Sequence, residues 1–310
     1  MNKTHTSSKV KIWLTAVRPF AYTASLLPVL LGLAISVYLG FPVKWGLFGL
    51  TLLGVLCFHT AANLLNDCYD HKRGLDRDVL PMSGAIVRGW LSEKQVFRAA
   101  MLCLVLGTSC GLALTHFCGW GGLALGGIGA VIALGYTRSG FCFKYFALGD
   151  AVIFIAFGIL PVFGTYWVQS QTFSLLPLLW SIPISCYTVG ILHGNNWHDL
   201  NSDAASGCRT VANLLGPNGS RLYYRFLVLG PYVLTIAFLL AGKLLSQRVG
   251  PLTAGLVLLS VPLALKLSRT TPERDPDTFA MLDGRTAQLH LAFGALLTIG
   301  IFLGRITETL

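Results

Sequence analysis

Apolar and polar residues follow one another along this chain in blocks, not in single alternations. Apolar runs of about the 17–25 residues needed to cross a bilayer are separated by polar connections. The runs predict membrane helices at about 19–40, 45–65, 95–115, 119–137, 148–167, 173–193, 223–242, 251–268 and 286–304. The expected fold is all-α, a polytopic transmembrane bundle of about nine helices. Residues 1–310 are read as a single membrane domain, with polar loops at about 66–94 and 194–222. The fourth run, GGLALGGIGAVIALG, predicts close helix packing, because glycines let backbones approach. The opening segment lacks a cleavage-like site and reads as leading into a retained helix.

Composition agrees with this pattern. The chain is 54% hydrophobic and only 12% charged, with a mean hydropathy of +0.66. Its net charge of +10 raises the question of nucleic acid, yet no basic patch is interleaved with aromatics. The charge reads instead as orientation. With alternate connections assigned to opposite sides, one side holds 19 of the 23 Lys and Arg residues, and the other holds Lys44, Lys243, Arg248 and Arg305. The positive-inside rule then predicts a cytoplasmic N-terminus and cytoplasmic motif loops, in an inner or plasma membrane. The eight cysteines form no CxxC pair and read as small buried apolar side chains.

Two polar segments stand out. The first is Asn63, Asn66, Asp67 and Asp70, followed by Asp76, after the second apolar run. The second is Asn195, Asn196, Asp199 and Asp203, after the sixth run. Residues three and four apart are neighbours on a helix, so each segment crowds carboxylates onto one face at a like-charge cost. Ionisable groups near hydrocarbon generally mark function. Carboxylate and amide oxygens are the hard ligands of Mg²⁺, which shares its coordination with phosphates and water. Two such pairs would hold Mg²⁺ around a diphosphate; polar caps running into solvated loops are the competing explanation.

These segments resemble the aspartate motifs of the UbiA superfamily of intramembrane prenyltransferases. Asn66, Asp67, Asp70 and Asp76 match the family's first motif, and Asp199 and Asp203 its second. Arg18-Pro19, Tyr136-Thr137 and Thr286-Ala287 extend the likeness over nearly the whole chain. The branch it most resembles is 1,4-dihydroxy-2-naphthoate polyprenyltransferase, on Gly74 before Asp76, Asn195-Asn196 before Asp199, Gly149-Asp150, and Gly164 followed by Gln169. It departs from that branch at His198, where Arg is usual, at Cys208, where Lys is usual, and across residues 81–89.

The resemblance implies a Mg²⁺-dependent enzyme that moves a polyprenyl group from polyprenyl diphosphate to an aromatic acid at the bilayer. For the naphthoate branch the product is demethylmenaquinone, formed with decarboxylation. It implies catalytic Asp67, Asp70, Asp199 and Asp203, joined by Asp76 as metal ligands. Candidate diphosphate contacts are Asn66, Lys72, Arg73, Arg88, Asn196 and Arg209. Tyr136, Arg138 and His198 are candidates for acceptor binding or acid–base work, and His71 and His193 for acid–base work at most. Other acceptors remain open: 4-hydroxybenzoate, homogentisate, a chlorophyllide or a glycerol phosphate ether. A cation-coupled transporter and a binding scaffold are the readings from other classes.

Overall fold

The computed structural model describes residues 8–72, 84–137, 147–205, 207–244 and 249–307. The elements are α1 (Lys9–Val17), α2 (Thr23–Tyr38), α3 (Trp45–Lys72), α4 (Glu93–Thr137), α5 (Gly149–Phe154), α6 (Leu160–Ser170), α7 (Leu176–His198), α8 (Leu200–Ala205), α9 (Val211–Leu244), α10 (Val261–Ser268), α11 (Pro276–Phe279) and α12 (Leu282–Thr307). A π turn at Ile155–Ile159 joins α5 to α6, and a 3-10 turn at Leu252–Ser260 leads into α10. Six of these rods are long and apolar enough to cross a membrane, and Thr23–Tyr38 and Leu252–Ser268 are shorter apolar helices.

Helix α4 shows how the rods become a bundle. At about 1.5 Å per residue its length exceeds two bilayer cores laid end to end. Gly119 interrupts it with φ 64° and ψ −158°, in the left-handed region that favours glycine. At that bend the Phe117 carbonyl accepts from Gln171 Nε2 (3.0 Å), just past the end of α6. At the other end, Glu93 pairs with Lys72 at the end of α3. The first arm of α4 therefore runs away from the end of α3, and the second returns. This is the boundary the sequence placed between its third and fourth spans.

Similar ties fix the remaining directions. The Lys44 backbone N–H, just before α3, donates to Gln169 Oε1 near the end of α6 (2.7 Å). Helices α3 and α7 thus start from the same end and both finish at the other. The Ala147 N–H, before α5, reaches the Arg209 carbonyl beyond α7 (2.8 Å) at that second end. Among the described residues, with α4 divided at Gly119, nine apolar rods make the bundle: α2, α3, the two arms of α4, α5–α6, α7, α9, the 252–268 helix and α12. The end where α3 and α7 finish is the motif end.

Helix α7 lies at the centre, with 72% of its most apolar window buried, against 22% for α4 at the periphery. The core sets Trp180, Ile184 and Tyr187 of α7 against residues of α2, α6, α9 and α12. Glycines permit the tightest crossings: a Cβ at Gly32 would collide with the Val162 carbonyl, and one at Gly158 with the Ser185 side chain. The Gly-rich return arm of α4 does not follow its expected role. Gly121 abuts Trp167, but among the described residues a Cβ on Gly126, Gly127 or Gly129 would meet nothing. Those glycines face outward, because α4 is peripheral and has few helices to approach.

Candidate active site at the motif end of the bundle

The first motif is built into the last turns of α3, which stays helical through Lys72. Asn63 Nδ2 donates to the Val17 carbonyl (3.0 Å), drawing the end of α1 onto α3. Asp67 is 2% exposed and forms an ion pair with Arg18. Arg18 caps α1 in a left-handed conformation, φ 54° and ψ 62°, immediately before Pro19. Such a conformation costs a non-glycine residue about 1–3 kcal/mol and persists where surrounding contacts hold it. The Asp67 pair and the Pro19 turn supply those contacts. Tyr22 and Thr60 hydroxyls, 2.7 Å apart, and a Ser25–His59 hydrogen bond continue the polar seam between α2 and α3.

The second motif sits at the α7–α8 junction. Asp199 is the C-cap of α7 and a third exposed. His198 Nδ1 lies 2.7 Å from Asp199 Oδ1, and Asn195 Nδ2 donates to Asp199 Oδ2 at 3.2 Å. The Asp203 N–H donates to the Asp199 carbonyl (2.9 Å), so the two acids stand one turn apart as their spacing required. Asn196 is buried beside them. Phe279 of α11 packs edge-on against Trp197 and lies 6.0 Å from the His198 ring. Asn213 closes the far side by donating to the Leu200 carbonyl (2.9 Å).

The structure therefore gathers Asn66 and Asp67 of α3, Asn196 and Asp199 at the end of α7, and Asp203 of the adjoining α8 at one end, with α3 and α7 both packed against α2. Asp70 lies in α3 and Tyr136 in α4, with side chains outside the described set; Asp76, Arg73 and Arg138 fall outside the described residues. Of the candidate phosphate contacts, Lys72 turns to Glu93 (2.8 Å), whose carboxylate raises the Lys72 pKa. The Arg88 guanidinium lies 4.9 Å from the Trp90 ring. Arg209 is exposed on the motif end, whereas Cys208 beside it is buried. A charged lysine would not fit the Cys208 position without opening that packing.

Sequence reasoning named His193 and Asp150 separately and did not join them. Asp150 at the start of α5 and His193 of α7 are both buried, with Oδ2 and Nδ1 3.9 Å apart. Tyr223 of α9 lies against both, its ring 4.8 Å from that of His193. The available signal was an acid following Gly149 at the mouth of an apolar span.

Among the described residues no three His, Cys, Asp or Glu side chains converge as a metal cage. The donor chemistry nonetheless fits Mg²⁺. The oxygens of Asp67, Asp199, Asp203, Asn66 and Asn196 are hard ligands, and Mg²⁺ characteristically takes one or two carboxylates with substrate phosphates and water.

The UbiA prenyltransferase family matches residues 25–303, nearly all of the helix bundle. The chain belongs to the UbiA prenyltransferase family. It is a multi-pass membrane enzyme of that family. It is 34% identical over 303 residues to UbiA prenyltransferase domain-containing protein 1 of Xenopus tropicalis, covering 95% of this chain and 83% of the relative. The human protein of the same name is 33% identical over 310 residues, covering 95% and 84%. Among solved structures, the apo form of a UbiA homologue from Aeropyrum pernix K1 aligns with a TM-score of 0.65 at 17% identity, covering 95% of this chain and 99% of that one. A UbiA homologue from Archaeoglobus fulgidus bound to DMAPP and Mg²⁺ aligns at 0.58 with 16% identity, covering 93% and 99%. These likenesses establish the UbiA-like helix bundle.

Proposed function

We propose that this UbiA-family enzyme transfers a prenyl group from a prenyl diphosphate to a small acceptor at the membrane surface, with Mg²⁺ held between its two aspartate motifs. The observation that carries the reading is the arrival of α3 and α7, each ending in an Asn/Asp segment, at one end of the bundle. Bound Mg²⁺ would withdraw charge from the departing diphosphate. Asp67, Asp70, Asp76, Asp199 and Asp203 are the residues assigned to hold it, with Asn66 and Asn196 orienting the diphosphate and Arg209 adding positive charge. Arg18 holds the Asp67 carboxylate in place, and His198 with Asn195 does the same for Asp199. The apolar bundle receives the prenyl tail and keeps water from the allylic carbon as its C–O bond breaks.

For the acceptor, the departures at His198 and buried Cys208 favour a compound other than 1,4-dihydroxy-2-naphthoate. The alternatives are 4-hydroxybenzoate, homogentisate, a chlorophyllide and a glycerol phosphate ether. The last is supported by the shared fold of a digeranylgeranylglyceryl phosphate synthase, at TM-score 0.59 and 16% identity. Naphthoate prenylation is the second reading, favoured by the Asn195-Asn196 pair before Asp199. Purified protein given a polyprenyl diphosphate, Mg²⁺ and each acceptor in parallel, with products weighed by mass spectrometry, separates them. Highest kcat/KM with naphthoate, and loss of its carboxyl group, would overturn the preferred reading. The bias of basic residues supports a cytoplasmic motif end; cysteine labelling at Arg209 from that side tests it.

A further inference from the structure

The reaction proposed above leaves one atom unaccounted for. When the allylic C–O bond breaks, the diphosphate takes the electron pair, and the acceptor forms a new bond to the prenyl carbon. The acceptor must then shed a proton, from a hydroxyl or from the substituted ring carbon. When the acceptor instead loses a carboxyl group as CO₂, its hydroxyls still need a hydrogen-bond acceptor to make the ring electron-rich. The aspartates assigned to Mg²⁺ are poorly suited to this, because protonation would cost them their role as ligands.

A separate pair of groups sits at the same end. Asp150 is 6% exposed and His193 is fully buried. His193 Nε2 lies 3.3 Å from the Ser220 carbonyl, a contact that places the ring's proton on Nε2 and leaves Nδ1 as a lone pair. That lone pair faces Asp150 Oδ2 across 3.9 Å. Neither atom has a hydrogen-bond partner. Two acceptors buried face to face, too far apart to bond directly, lack a donor between them, and leaving them so is costly. Asp150 also lines a cavity of ≈ 10 Å³ shared with Asn196, Thr210 and Gly149, space for about one water. Asn196 is three residues from Asp199, so the cavity leads from Asp150 to the second motif. The titratable groups facing the pair are Tyr223 of α9, against the Asp150 carboxyl, and Cys186 of α7, which lies near Tyr223.

We infer that Asp150 and His193 form the proton-accepting pair of the transfer reaction, taking the acceptor's proton through a single water beside Asn196. The proton leaves the acceptor for that water, the water's proton passes to the Asp150 carboxylate, and His193 Nδ1 shares it. This rests on the prenyl-transfer reading, and the experiment separates the two. Full-length protein in lipid nanodiscs is assayed for Mg²⁺-dependent donor binding, by the thermal shift that prenyl diphosphate produces, and for transfer across a pH series. Asp150→Asn and His193→Gln should keep donor binding while lowering kcat by roughly 10²–10⁴-fold and roughly 10-fold respectively, the range of general base effects. Asp150→Glu should restore most of the rate with a displaced pH profile. Infrared spectra should show an Asp150 carboxyl band that shifts on adding acceptor and is absent from Asp150→Asn. Transfer within threefold of wild type in both variants would overturn the inference and leave the prenyl-transfer reading standing. Parallel loss of donor binding and transfer would assign the pair a purely structural role and overturn it as well. A wild-type protein that consumes no prenyl diphosphate with any acceptor would overturn both.

Discussion

The two aspartate motifs are similar in sequence and differ in how the fold treats them. Asp67 is buried and ion-paired to an arginine brought from α1, whereas Asp199 is a third exposed and, among the described residues, held by Asn195 and His198 close to it in the chain. The first motif is thus part of the scaffold: removing its charge also releases Arg18 and the α1–α3 contact. The second is a local cap whose support comes from Asn195 and His198, one turn and one residue away. Chemistry placed on a packed helix is rigid but entangled with stability, and chemistry placed on a helix end is adjustable.

The largest expected effect is the loss of transfer in either single variant. Asp67→Asn and Asp199→Asn should each lower kcat/KM by about 10²–10³ or more, as removal of a strong transition-state contact does. Steady-state kinetics at subsaturating Mg²⁺ read this directly, and near-normal turnover in either variant breaks the shared role.

Much of that contrast was legible in the sequence, and part was not. The sequence ended the second span near residue 65 and began a loop at 66, whereas α3 stays helical through Lys72 and carries Asp67 and Asp70 on its last turns. The multi-span helix bundle followed from the apolar runs, including the break at Gly119. Arg18 as the partner of Asp67 was not readable, because the two are 49 positions apart and only tertiary packing joins them. The outward face of Gly126 and Gly127 was equally hidden, since glycine-rich helices look the same whether or not a neighbour arrives. The buried Asp150–His193 pair needed three helices in place before it had a shape.

A second effect sharpens the comparison through stability. Losing one partner of a buried ion pair costs about 3–5 kcal/mol. Arg18 is a quarter exposed, so water will satisfy part of it, and about 1–3 kcal/mol is expected for Asp67→Asn. Asp199→Asn should fall within about 0.5 kcal/mol, as substitutions at exposed sites do. Thermal unfolding in one detergent measures both, and equal losses would contradict the division into scaffold and cap.

A smaller effect concerns the support of Asp199. His198→Ala removes one hydrogen bond to it, a contribution of about 1 kcal/mol. The expected result is about a fivefold weaker apparent Mg²⁺ affinity with little change in melting temperature. An unchanged Mg²⁺ titration would show that Asn195 alone orients the carboxylate.

The smallest effect is expected at Lys72. Its pair with Glu93 is exposed and screened by solvent, so it contributes little. Lys72→Gln should therefore leave donor KM within about twofold; a tenfold rise would mean that Lys72 leaves Glu93 to reach the diphosphate.

The central claim is that the ends of α3 and α7 make one diphosphate site. Its most direct test is equilibrium binding of a radiolabelled prenyl diphosphate to the wild-type protein, to Asp67→Asn, to Asp199→Asn and to the double variant, with and without Mg²⁺. Residues that act as a unit give strongly non-additive losses. The account predicts Mg²⁺-dependent binding in the wild type, a large loss in each single variant, and scarcely any further loss in the double variant. Losses that multiply in full, or wild-type binding indifferent to Mg²⁺, would contradict it.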